Sequence, residues 1–124
     1  DMYKFKTPAL RNVSLTAPYG HNGAYPTLKG IIKQHLDPTK MNKNWKPAYA
    51  NLPNAPWLEQ IDFVTFSDKR EQDRILSSIN IKPVDLDEKE IDLLVLFLES
   101  LTGKSGNQRP LGKPIKVPSG LTID

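Results

Sequence analysis

Apolar residues recur at helical spacing in two stretches of the chain and rarely outside them. In the first, Leu28, Ile31, Ile32 and His35 fall at i, i+3, i+4 and i+7, so they share one face of a helix that opens near Thr27, a good N-cap after Pro26. Lys29, Lys33 and Gln34 take the opposite side, and Pro38 ends the helix because the residue before a proline is pushed out of the α region. The second stretch runs from Asp87 to Leu101. Asp87 and Glu90 form a D-x-x-E capping box, acidic residues crowd the first turn, and Gly103 suits the left-handed position that follows a helix. Between the two, residues 37–47 read as a basic loop, and Phe63–Phe66 reads as an apolar connector to a short polar helix capped near Ser67. Eleven prolines in 124 residues leave the loops too proline-rich for a sheet core, so the pattern predicts one small, loop-rich, mainly α domain with a modest core.

His35 is the residue on this pattern that carries chemistry. A neutral imidazole among aliphatic side chains is either a buried, hydrogen-bonded core residue or a metal ligand. Met2 and Met41 are thioether alternatives, but Met41 lies beyond Pro38 and off the stripe that ends at His35. The other histidine, His21, sits in the turn Tyr19–Gly20–His21–Asn22–Gly23, where it reads as a residue tying loops together by hydrogen bonds. Trp45 and Trp57 read as packing residues. The lysines of the basic loop, with Lys29 and Lys33, form either a positive patch suited to an acidic partner or a solvated face.

Several function classes fall away. A net charge of +3 is too small to argue for nucleic-acid binding, and no aromatic–basic motif of a nucleic-acid module is present. No run approaches the roughly 18 apolar residues that span a bilayer, and the stretch at Asp1 has none of the features of a signal peptide. There is no glycine-rich phosphate loop, no HExxH, and no Ser-His-Asp or Cys-His set, which removes hydrolase readings.

Two runs near the start of the chain carry a resemblance. Phe5-Lys6-Thr7-Pro8-Ala9-Leu10-Arg11-Asn12-Val13 and Leu15-Thr16-Ala17-Pro18-Tyr19-Gly20-His21-Asn22-Gly23 resemble the FKTPxLRNV and LTAPYxH(D/N)G signatures of the bacterial dihaem cytochrome c peroxidase and MauG family, in its C-terminal haem domain. Val84–Gly103 is similar to the last helix of c-type cytochrome domains, and Val117–Leu121 is similar to the end of many chains in the family. The resemblance covers most of the chain and is weak between about Lys40 and Lys82.

The resemblance implies a cytochrome-c-like fold, residues 1–124 being the C-terminal portion of a periplasmic dihaem peroxidase-like enzyme that uses hydrogen peroxide. Eight residues after the threonine of the TL pair the family places the distal axial ligand of the C-terminal haem, commonly methionine or tyrosine; counted from Thr27, that position is His35. Histidine is a common axial partner for haem iron, so the departure is chemically coherent. The resemblance also implies that the Thr16 and Pro18 backbone carbonyls bind calcium at a domain interface, where the bare sequence reads as an ordinary turn. Arg11 is placed to pair bidentately with a haem propionate or to make a surface salt bridge. The chain has no cysteine, so it has no C-x-x-C-H site, and a haem c bound by His35 would be attached through an N-terminal haem-bearing segment or subunit. A redox partner protein or a protein substrate completes the expected set. The competing class is a plain electron-transfer c-type cytochrome subunit.

Overall fold

A computed structural model describes residues 4–52, 55–58 and 60–104; the expected thioether candidate Met2 and the family-like tail Val117–Leu121 lie outside these. Five helices carry the described chain: α1 (Leu28–Leu36), α2 (Pro38–Asn44), α3 (Val64–Ser67), α4 (Lys69–Ser78) and α5 (Glu88–Ser100). Single 3-10 turns at Val13–Leu15 and Pro47–Tyr49 join them, and the described residues contain no strand, only one isolated antiparallel bridge between Tyr19 and Tyr25. The mainly α, loop-rich expectation therefore holds. Among the described residues no helix is long and apolar enough to cross a membrane.

The two periodic stretches form as their end signals dictate. Thr27 caps α1, its hydroxyl accepting from Gly30 N at 3.1 Å. Asp87 and Glu90 close the capping box of α5 in both directions, each bond at 2.8 Å. The two helices pack antiparallel, because the chain from residue 84 to 92 runs back along α1. Val84 N donates to Leu36 O at 2.9 Å, Glu88 meets Lys33 and Lys29, and Asp92 meets Lys29. Ile91, at 4% exposure, is the most enclosed apolar side chain, and Leu28, Ile32 and Tyr19 complete the buried apolar set.

Four local expectations change. Residues 38–44 are helical where a loop was expected, since Asp37 caps them by accepting from Lys40 N at 2.9 Å and Pro38 suits a first helical position, which needs no N–H. Phe63–Phe66 enters a helical turn, and the cap of the next helix is Asp68, whose Oδ1 accepts from both Arg70 N and Glu71 N. Gly103 does not take the left-handed conformation after α5. That conformation is adopted at φ 59° by Asn12, the side chain of which accepts from Gly103 N at 2.8 Å while its own N donates to Leu101 O. Trp57 packs on little of the described chain, being 78% exposed.

The remaining apolar surface is large. Among the described residues fifteen large apolar side chains are more than a third exposed against four buried ones, and on α5 the open set is Leu93, Leu94, Leu96 and Phe97. The antiparallel seam thus carries most of the enclosed core. Ile91→Ala is expected to lower the unfolding free energy of the complete protein by about 2–5 kcal/mol in a denaturant titration, whereas Leu93→Ala, at an open position, is expected to cost less.

Candidate functional site

His35 stands in the last turn of α1 and is exposed. It shares the helix face of Leu28 and Ile32, but α5 begins opposite Lys33, so the last member of the stripe overhangs the packed region. The alternative of a buried core histidine is therefore not realised among the described residues. His35 Nδ1 lies 2.9 Å from Ile31 O. A carbonyl only accepts, so Nδ1 is the donor in this bond, and in the neutral imidazole the Nε2 lone pair is left for a ligand. A backbone carbonyl holding one ring nitrogen is a common way to orient a metal-ligating histidine and raise its basicity.

The end of α1 that bears this imidazole is pinned on several sides. Asp37 N donates to Lys33 O at 3.1 Å, Val84 N is bound to Leu36 O, and Pro38 is buried. Farther along the helix, Glu88 accepts from Lys29 at 2.8 Å and Lys33 at 2.6 Å, and Asp92 accepts from Lys29 at 2.6 Å. The hydrogen bonds from Lys29 and Lys33 pull the Glu88 carboxyl down to about 2, and those to Asp92 and Glu88 push the Lys29 ammonium up. Lys29 and Lys33 are thus neutralised within the fold and do not join Lys40, Lys43 and Lys46 in one positive patch; those three make no ion pair among the described residues.

The loop before α1 is built on its aromatics. Tyr19 and Tyr25 exchange backbone bonds of 2.7 and 3.2 Å around a turn in which Gly20 and Gly23 have positive φ. Burial pushes both phenols up. His21 ties this loop to the leading segment by stacking on Phe5, with ring centroids 4.0 Å apart, and makes no hydrogen bond there among the described residues. Trp45 packs as expected. Its Nε1 donates to Ala24 O at 3.0 Å, and its ring meets Phe66 edge-on at 5.1 Å and Phe63 at 6.1 Å. That aromatic cluster, joining α2, α3 and the loop, was not legible from residue spacing. Met41 is half-buried in α2.

Arg11 is exposed and makes no ion pair among the described residues, so the surface salt bridge weighed for it is not formed there. Its neighbour Asn12 is clamped to the end of α5, and Ser14 Oγ meets Thr102 Oγ1 at 2.5 Å, which fixes the chain on which Arg11 is carried. Thr16 uses its hydroxyl on Val13 O, while the Thr16 and Pro18 carbonyls accept no hydrogen bond among the described residues. The described residues contain no cluster of three or more His, Cys, Asp or Glu able to hold a metal ion, so His35 offers one donor.

Comparison with known proteins gives the relationship. Over 103 residues the chain is 36% identical to methylamine utilization protein MauG of Paracoccus denitrificans, covering 82% of this chain and 23% of that protein. Over 36 residues it is 58% identical to cytochrome c peroxidase Ccp of Escherichia coli, covering 29% of this chain and 8% of that protein. The chain is thus a relative of the dihaem cytochrome c peroxidase and MauG family, with a cytochrome-c-like fold. It spans less than a quarter of the length of these curated relatives. No family model and no solved structure matches it.

The depressed Glu88 pKa gives its ion pairs an acid-side dependence, small in size because they are largely exposed. Its carboxylate pairs stabilise the fold fully above about 4.5 and are lost as pH falls toward about 2. In Glu88→Gln that contribution is absent at every pH. The difference in melting temperature from the parent is therefore expected to be constant above pH 4.5 and to shrink on acidification, as followed by circular dichroism.

Proposed function

We propose that residues 1–124 are the C-terminal portion of a periplasmic dihaem c-type oxidoreductase that uses hydrogen peroxide, and that His35 supplies the distal axial ligand to its electron-relay haem. The observation that carries the reading is His35 itself, exposed, with Nδ1 committed to Ile31 O and Nε2 making no hydrogen bond among the described residues. It stands where the family's sequence pattern puts the axial ligand. Haem c supplies one-electron redox chemistry when bound. With no cysteine here, its thioether attachment and opposite histidine come from an N-terminal haem-bearing segment or subunit.

In this reading His35 gives a nitrogen lone pair to iron, held in orientation by the Ile31 carbonyl. A nitrogen donor from His35 would suit a haem used for electron relay, and with it oxidation of a protein side chain rather than reduction of peroxide by a carrier cytochrome. Arg11, which has no ion pair among the described residues and sits on a fixed turn, takes a haem propionate bidentately. The Thr16 and Pro18 carbonyls, which accept no hydrogen bond among the described residues, are hard oxygen donors for calcium at the interface with the rest of the protein. Lys40, Lys43 and Lys46, exposed and without an ion pair among the described residues, suit an acidic redox partner or protein substrate.

His35→Ala in the complete protein is expected to abolish the low-spin bis-histidine signature in the visible and EPR spectra; its retention refutes the ligand assignment. Stoichiometric hydrogen peroxide added to the diferric protein is expected to give a rapid new spectrum. An unchanged spectrum followed only by slow bleaching makes the chain part of an electron-transfer cytochrome. Exhaustive chelation is expected to remove calcium measurable by elemental analysis and to alter the haem spectra, and a metal-free preparation with unchanged spectra refutes the calcium site.

A further inference from the structure

We infer that Glu88 is a positioning residue for the axial imidazole, fixing the rotation of α1 about its own axis through a ladder of two ion pairs, to Lys33 and Lys29, with Asp92 adding a third. The inference rests on the reading of His35 as a haem ligand and concerns how that ligand is aimed. Lys29 and Lys33 are one helical turn apart on α1, and both reach the same carboxylate, at 2.8 and 2.6 Å, while Asp92 adds a second hold on Lys29 at 2.6 Å. Glu88 is the first residue of α5, and its own position is set by the capping box at Asp87 and Glu90. Four residues earlier, Val84 N holds Leu36 O, next to His35. The segment 84–92 therefore grips α1 on both sides of the imidazole's attachment point, once through backbone and once through charge.

The strength of the ladder decides what it can do. The lysine side chains are 37–39% exposed and the acidic ones 62–65%, and pairs this open add little to global stability. Helix burial itself comes from Ile91, Leu28 and Ile32. Apolar packing is non-directional, however, and tolerates a small roll of one helix on another, whereas two lysines on one carboxylate fix the roll. An iron–imidazole bond is sensitive to such a roll, because partners outside the metal's own ligands set the orientation of a coordinating histidine. Ile31 O, the acceptor for His35 Nδ1, belongs to the same rigid turn and moves with it.

The test uses the complete, haem-loaded protein and compares the parent with Glu88→Gln, with the single variant Lys33→Glu, and with the exchanged pair Glu88→Lys plus Lys33→Glu. Low-temperature EPR of the ferric low-spin centre and its midpoint potential are recorded, together with helix content by circular dichroism. Glu88→Gln, which is close to isosteric at an exposed site, is expected to keep its helix content while shifting and broadening the low-spin EPR signal and moving the potential. The Lys33→Glu variant is expected to do so more strongly, and the exchanged pair to return the signal toward the parent's. Variants with lowered melting temperatures but an unmoved EPR signal and potential would overturn the inference and leave the ladder merely structural. His35→Ala in the same series separates the two levels. If it loses the low-spin signal while Glu88→Gln leaves it unmoved, only the positioning role fails; if it keeps the signal, the ligand assignment fails and the positioning role with it.

Discussion

The antiparallel seam between α1 and α5 is the constraint on which the rest of this chain depends. It joins residues more than fifty positions apart and supplies three of the four apolar side chains buried among the described residues, Leu28, Ile32 and Ile91. It also carries the ion-pair ladder and the Val84–Leu36 backbone bond. The loops connect to it rather than forming cores of their own. The leading segment is clamped to the end of α5 through Asn12 and Ser14, and the Tyr19–Tyr25 loop closes over the start of α1. Gly30 shows how tight that closure is, since a Cβ there would meet Thr27 Oγ1 at 3.2 Å and the Tyr25 ring at 3.4 Å. A glycine inside a helix costs stability relative to alanine, and here the cost makes room for an aromatic ring.

The same seam explains where the chemistry lies. Because α5 starts opposite Lys33, it covers the middle of the α1 stripe and leaves the end of it open. His35 therefore carries the identity of a core-facing residue and the exposure of a surface one. Val84, bonded to the adjacent Leu36, is apolar and more than half exposed, as are Leu93, Leu96 and Phe97 on α5. Open apolar surface on this scale marks a contact face, and the chain aligns with less than a quarter of the length of its curated relatives.

Much of this was legible in the residues. The two main helices, their caps at Thr27 and Asp87, and the break at Pro38 follow from local rules, because N-caps, capping boxes and proline act within a few residues of themselves. The FKTPxLRNV and LTAPYxHNG runs pointed to the family that the comparisons then showed. The helical character of residues 38–44 was available too, in Asp37 as a cap and Pro38 as a first helical residue, a signal that the run of lysines hides.

Residue order alone sets the local pattern: where helices start and stop, and which face of α1 is apolar. Which parts of those faces are covered, and which charges are spent, depends on packing between distant segments. Lys29 and Lys33 are indistinguishable by pattern from the free lysines of α2, yet α5 neutralises them. Gly103 looked like the residue to turn left-handed after α5, and Asn12, ninety-one positions away, takes that conformation and the cap instead. His35 lies on the same stripe as Leu28 and Ile32, yet only those two are enclosed. The physical reason is common to all three: local periodicity fixes the angle at which a side chain leaves its helix, whereas burial and pairing depend on where a distant segment begins and ends against it.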